Sequence, residues 1–258
     1  MVVVIVGVYR ELARAARIIA GTRRRLADGA AGIAAGAQRT LAAASGGGAF
    51  PYTAPVATPR VDWFAPALLE GTSVRLMPLS PDHLPDLIEA GRDPRIWTWM
   101  PFDASAPGAM QTLVEAALAA LAAHTEIPFV AIERSSGLVV GSSRYLAVAP
   151  AHLRLEIGWT WLEPTSWRTA LNSEAKLLQL QHAFEVLGCR RVEFKTDARN
   201  ERSRAAILGI GAQFEGIFRK HMVMPGGRAR DTACYSVLDD DWPAVRTGLQ
   251  ARLDRHRG

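Results

Sequence analysis

Between Glu156 and Gly211 the chain runs strand, polar loop, helix, and then repeats that order. The first unit reads Glu156-Ile-Gly-Trp-Thr-Trp-Leu-Glu-Pro, then Thr165-Ser-Trp-Arg-Thr-Ala-Leu-Asn172, and then a helix to Leu187. The second has a strand at 191–196, a polar run from Asp197 to Asn200, and a short helix over about 201–208. A strand that feeds a helix through a short polar loop presents backbone N–H groups without intrahelical partners. The helix dipole adds positive potential at the same place. A chain built around two such junctions is suited to hold a phosphate-bearing group.

The flanking elements set the architecture. Val74 to Leu79 alternates like a strand, and Ser80 or Asp82 can cap a helix reaching about Ala90. Trp97 to Pro101 reads as a loop, and a second helix runs over about 108–124. Strands follow at 127–134, 138–148 and 153–162. In the last, Leu153, Leu155, Ile157, Trp159 and Trp161 alternate with Arg154, Glu156, Gly158 and Thr160, so one face is apolar and the other carries a single carboxylate beside a glycine. The helix at about 173–187 stacks Leu177, Leu180, Phe184 and Leu187 on one stripe and stops at Gly188. Strands at 212–224 and 230–238, joined by Pro225-Gly-Gly227, complete the pattern. This is an α/β (α+β) architecture: a mixed, mainly antiparallel sheet flanked by helices.

Charge divides the chain. Residues 1–60 hold eight Arg and two acids, a balance of +6, and the remainder is close to neutral at −1. Net charge therefore gives the main domain no affinity for nucleic acid. Residues 1–60 form an Ala/Gly/Arg-rich extension and linker. Their composition fits a disordered or partly helical tail, an over-extended translation start, or a segment lying on an anionic surface. The folded domain is expected over 65–258, with its first regular element near Leu68. Cys189 and Cys234 are too few for a disulfide framework and suit a reducing cytoplasm. No apolar run is long enough for an integral membrane segment, and His124, His152 and His182 lack ligand spacing, so no metal is expected.

Four segments together resemble the GCN5-related N-acetyltransferase superfamily, nearest to the branch of ribosomal-protein N-terminal acetyltransferases. They are Glu156–Trp161, Trp167–Lys176, Lys195–Ser203 and Leu208–Gly216. The resemblance implies transfer of acetyl from acetyl-CoA, as co-substrate, to a primary amine of a protein N-terminus or a small molecule, by direct attack. It places the diphosphate on Trp167, Arg168, Thr169, Ala170, Leu171 and Asn172, where Arg168 stands at a position the family fills with glycine. A non-glycine residue takes positive φ at a cost, so a non-catalytic acyl-CoA-binding regulatory relative is the alternative.

The resemblance makes Glu156 the general base, Ser203 the acid for the departing thiolate, Asn200 a contact to the pantetheine arm, and Trp159 the backbone N–H that polarises the carbonyl. The residues allow local readings too. Glu156 could pair with Arg144 or Arg154 across the sheet. Asn200 and Ser203 form a helix N-cap pattern, and Asn172 could cap the helix at 173. Gly158 invites a bulge or a close backbone approach. Tyr235 could donate a proton or pack in the core, and Trp97, Trp99 and Trp167 could be core or line the acceptor groove shaped by about 92–110 and 219–230.

Overall fold

The structure, a computed structural model, describes residues 61–257; the extension at 1–60, with every expectation attached to it, lies outside the described residues. The strands are β1 (Leu69–Glu70), β2 (Val74–Pro78), β3 (Ile127–Glu133), β4 (Val139–Ala149), β5 (Arg154–Leu162), β6 (Arg191–Asp197), β7 (Gln213–Val223) and β8 (Ala229–Leu238). They form one sheet in the order β1-β2-β3-β4-β5-β6-β8-β7. Every neighbouring pair is antiparallel except β5 and β6, which run parallel. The α-helices among the described residues are α1 (Leu84–Ala90), α2 (Ala109–Ala122), α3 (Ala170–Gln181), α4 (Glu201–Ile210) and α5 (Trp242–Arg257).

Alternation along β3 shows how the layers form. Phe129 and Ala131 join a core with α3, α4 and α5, while Val130 and Ile132 join a second core with α1 and α2. Both faces of β3 are therefore covered, which explains its unbroken apolar run. Trp63, 3% exposed, already belongs to the first core, so packing begins before Leu68. At the other end, α5 buries Trp242, Val245, Leu249 and Leu253. Those residues recur at helical spacing, although no element is expected there from the pattern ending at 238.

Helix α3 starts at Ala170 rather than Ser173, and its N-cap is Thr169, whose side chain accepts from the Leu171 amide. Asn172 therefore sits in the first turn and is not the cap. The helix is buried around most of its circumference. Its Glu174 carboxylate, 3% exposed, accepts from the amides of Thr72, Ser73 and Val74 and ties the β1–β2 turn to the core. A five-residue π turn, His182–Val186, extends α3 to Leu187, and Gly188 leaves it at φ 70°.

The single apolar face expected for β5 is broken by a bulge. Gly158 pairs with Arg144 and Trp161 with Ser142, so Trp159 and Thr160 together oppose Ser143. Trp159 takes φ 49°. Leu155 and Ile157 face the first core, whereas Trp159 and Trp161 face the second. The extra residue shifts the side-chain period by one, so a simple count of two fails beyond Gly158.

Candidate functional site

The parallel pairing of β5 with β6 is short. Its register ends at Glu156 opposite Glu193, while β6 stays paired with β8 along Arg191–Asp197. Beyond Glu156 the two strands diverge, and each ends at a helix N-terminus. Glu156 is thus the last paired residue before the splay, and the β5 bulge at Trp159–Thr160 lies just past it.

The two strand-to-helix junctions are built differently. After β5, a 3-10 turn at Pro164–Ser166 leads to Arg168, which takes φ 64°, the region a glycine would favour. Arg168 and Thr169 are exposed. The Trp167 amide donates to Pro164 O and the Leu171 amide to Thr169 Oγ1. Among the described residues, the amides of Arg168, Thr169 and Ala170 have no protein acceptor. After β6, Asn200 caps α4: buried at 8% exposure, it accepts from the Ser203 amide at 3.1 Å. The N-cap pattern read from Asn200 and Ser203 is therefore real, and the Ser203 side chain is half-buried in the first turn. The junctions meet through Trp167, whose ring lies 4.2 Å from the Arg202 guanidinium of α4.

Charge is organised around Glu156. Its partner is Lys195 on β6, at 2.7 Å, not Arg144 or Arg154. Arg144 pairs with Glu126 and lies over the Trp159 ring; Arg154 reaches Glu193. Lys195 also binds Glu193 at 2.9 Å. Burial disfavours the Lys195 cation, but the hydrogen bonds it donates to Glu156 and Glu193 outweigh that and hold its pKa above the ordinary lysine value. Burial likewise opposes the Glu193 carboxylate, and Lys195 and Arg191 together hold its pKa below the usual range. The resemblance sets the Glu156 strand beside the Arg191–Thr196 strand but not their register, so Lys195 was not read as the partner of Glu156. Alternation within Arg191–Thr196 could have placed Glu193 and Lys195 on one face.

At the end of β6, Asp197 is buried, yet the Arg199 amide and the Arg228 guanidinium, 2.9 Å away, keep its pKa low. Tyr235 is core: its hydroxyl accepts from Arg204 Nε at 2.9 Å and the residue is 1% exposed.

A cavity of about 270 Å³ opens between 97–103 and 224–228, lined by Trp97, Thr98, Met100, Phe102, Asp103, Met224, Pro225 and Arg228. These are the two segments expected to shape an acceptor groove. Trp97 serves as both wall and core: it is 3% exposed and donates Nε1–H to Gly91 O. Trp167 is anchored by an Nε1–H bond to Leu162 O at the β5–α3 junction. Among the described residues, no group of three His, Cys, Asp or Glu side chains is placed to hold a metal, and no helix is long and apolar enough to cross a membrane.

The site is thus framed by an α-flanked sheet with one short parallel pairing, a splay, and a loop of glycine-like backbone at a helix N-terminus. A sequence profile of the acetyltransferase (GNAT) domain matches residues 73–213, and the chain belongs to this family. It is similar to a GCN5-related N-acetyltransferase from Brucella melitensis, 35% identical, over 72% of this chain and 85% of that one, with a TM-score of 0.68. Mycobacterium smegmatis RimJ, solved in complex with CoA-disulfide, shares the fold at 19% identity and a TM-score of 0.63, over 74% of this chain and 95% of that one. The Bacillus subtilis (strain 168) protein YoaA, described as an uncharacterized N-acetyltransferase, is 31% identical over 105 residues. That match spans 41% of this chain and 58% of YoaA, less than two thirds of that relative's length.

Proposed function

We propose that the chain transfers acetyl from acetyl-CoA to a primary amine, on a protein N-terminus or a small molecule, by direct attack. The observation that carries this reading is the splay: a carboxylate at the last β5–β6 pair, with the α3 junction alongside holding glycine-like backbone at Arg168. The residues present fit the co-substrate. The amides of Arg168, Thr169 and Ala170 would take the diphosphate, with Trp167, Leu171 and Asn172 completing the loop and Asn200 beside the pantetheine arm. Acetyl-CoA supplies an activated acyl group as a thioester.

The chain's own groups divide the remaining work. Glu156, directly or through a water, removes the proton from the acceptor amine. The Trp159 N–H, at the bulge, stabilises negative charge as it develops on the carbonyl oxygen. Ser203 returns a proton to the departing thiolate. The cavity between 97–103 and 224–228 admits the acceptor, its wall part aromatic and part charged. Two buried cysteines without a disulfide fit the cytoplasmic reading.

A second reading has its own observation. Lys195 engages Glu156 Oε2 at 2.7 Å, as a purely structural pair would, and a non-catalytic acyl-CoA-binding relative would keep such a pair. The deciding experiment is an acceptor screen that follows free-thiol release from acetyl-CoA, with N-terminal peptides and small amines in separate arms. Turnover by the wild type, with kcat lowered roughly 10²–10³-fold in Glu156→Gln, supports the transferase. CoA binding without turnover on any amine supports the alternative.

A further inference from the structure

Helix α3 carries one buried cation with no carboxylate against it. Lys176 is 4% exposed. Its ammonium donates to Ser143 Oγ of β4 at 2.9 Å, to Thr160 Oγ1 of β5 at 2.8 Å and to Gln179 Oε1 at 2.8 Å. Three N–H donors thus meet three neutral oxygens. Ser143 and Thr160 are 2.7 Å apart and face each other across the β5 bulge, where β4 supplies one residue against two. The ammonium therefore closes the bulge from the α3 side and joins both strands to the helix.

The titratable groups nearby are turned elsewhere. Glu174, on the same helix, accepts from the amides of Thr72, Ser73 and Val74. His182, at the start of the π turn, meets the Tyr145 hydroxyl of β4, which also bonds Gln179 O. Burial alone acts on Lys176 and draws its pKa down to about 7. The Gln179 Nε2 atom is buried with no hydrogen-bond partner among the described residues. An apolar side chain of the same length would remove a buried ammonium that no carboxylate pairs, and with it the cost of desolvating that charge. A fold that keeps the charge here has a use for it at the bulge.

We propose that Lys176 is a positioning residue for acetyl transfer: it locks the Trp159–Thr160 bulge from behind and so sets the direction of the Trp159 N–H. The inference rests on the role given above to that N–H. Lys176 lies across β5 from the reacting groups and acts through Thr160 and Ser143. It orients one backbone donor, so its loss weakens the chemical step more than co-substrate binding.

The test compares wild type with Lys176→Met and, as a second variant that keeps the helix intact, Thr160→Val. Three quantities are read: kcat and KM for acetyl-CoA by thiol release, Tm, and hydrogen exchange of the Trp159 and Thr160 amides. In both variants kcat is expected to fall about 10–100-fold, the scale of a misdirected catalytic donor, with KM for acetyl-CoA within about threefold. The Tm of Lys176→Met does not fall, and the two bulge amides exchange faster. A kcat within about twofold of wild type in both variants overturns the proposal. So does a parallel loss of Tm, kcat and co-substrate affinity, which marks a merely structural lysine. If the wild type itself shows no turnover, the transferase reading fails on its own. Exchange then decides the rest: unchanged bulge amides in Lys176→Met overturn the positioning role, and faster exchange upholds it.

Discussion

The two strand-to-helix junctions do the same geometric job with opposite means. After β5, the chain turns through exposed backbone, with Arg168 at φ 64° and a weakly bonded Thr169 cap whose Leu171 N–Oγ1 distance is 3.3 Å. After β6, side chains close the turn: Asn200 caps α4, and Asp197 gathers Arg199 and Arg228. The first junction keeps its amides available to a ligand; the second spends its polar groups on itself. A binding site made of backbone tolerates unusual side chains, whereas a junction made of side chains does not. Arg168 holds the left-handed backbone that a glycine would favour, so the loop keeps that shape at the cost of local strain.

Removing one amide from the first junction is the sharpest way to break this contrast. Ala170→Pro deletes an N–H at the first helical position, where proline is tolerated. Thr169 ahead of it is already extended, at φ −94° and ψ 178°, as a pre-proline residue must be. The expected result is an acetyl-CoA dissociation constant raised about 10–100-fold, matching one charge-assisted hydrogen bond of roughly 1.5–3 kcal/mol, with Tm nearly unchanged. Calorimetric binding and thermal melting together check it.

The junctions also differ in their response to pH. Lys176, beneath the end of β5, has its folded pKa drawn down by burial to about 7, while the unfolded chain binds that proton up to about 10.5. Stability therefore rises with pH above about 7, by at most about 1.4 kcal/mol per unit. Above about pH 9 the Cys189 thiol, pushed up to about 12 by burial, begins to oppose the rise. Lys176→Met should flatten the curve between these limits in denaturant titrations. Asp197 at the second junction has the other window. Its folded pKa lies below 3.8, so its contribution is present above that value and is lost as pH falls below it.

Smaller effects separate capping from binding. Asn200→Ala should cost about 1 kcal/mol of stability through the lost cap, and Asn200→Ser should recover most of it. If the Asn200 side-chain amide also contacts the pantetheine arm, both variants lose co-substrate affinity; recovery of affinity in the serine variant would reduce Asn200 to a cap. Arg168→Gly is the mildest change. It relieves the left-handed backbone and should shift stability by less than about 1 kcal/mol, with acetyl-CoA binding retained, as melting and titration would show.

The contrast between junctions also explains what could be read from the sequence. Asn200 and Ser203 announced their cap because a side chain made it, and among the strands only those at 74–79 and 153–162 were read by alternation. The Thr169 cap was placed three residues late, at Asn172, because the apolar stripe of α3 becomes regular only further along. Gly158 pointed to the β5 bulge, which falls on the next two residues, but the change of side-chain period beyond it was not read because a one-residue insertion leaves no residue type behind. Lys195 and Lys176 were invisible for a different reason. Their partners, Glu156 and the Ser143–Thr160 pair, come from other strands, and only tertiary pairing brings them together. Helix α5 was missed although Trp242, Val245, Leu249 and Leu253 carried a usable helical spacing.

The central claim is that backbone amides at the β5–α3 junction, rather than side chains at the β6–α4 junction, grip the diphosphate. Titrating CoA into isotope-labelled protein and following every backbone amide by NMR tests it directly. The account predicts the largest shifts at Arg168, Thr169 and Ala170, with smaller ones at 198–203. Saturable binding that left the Arg168–Ala170 amides unmoved would contradict it.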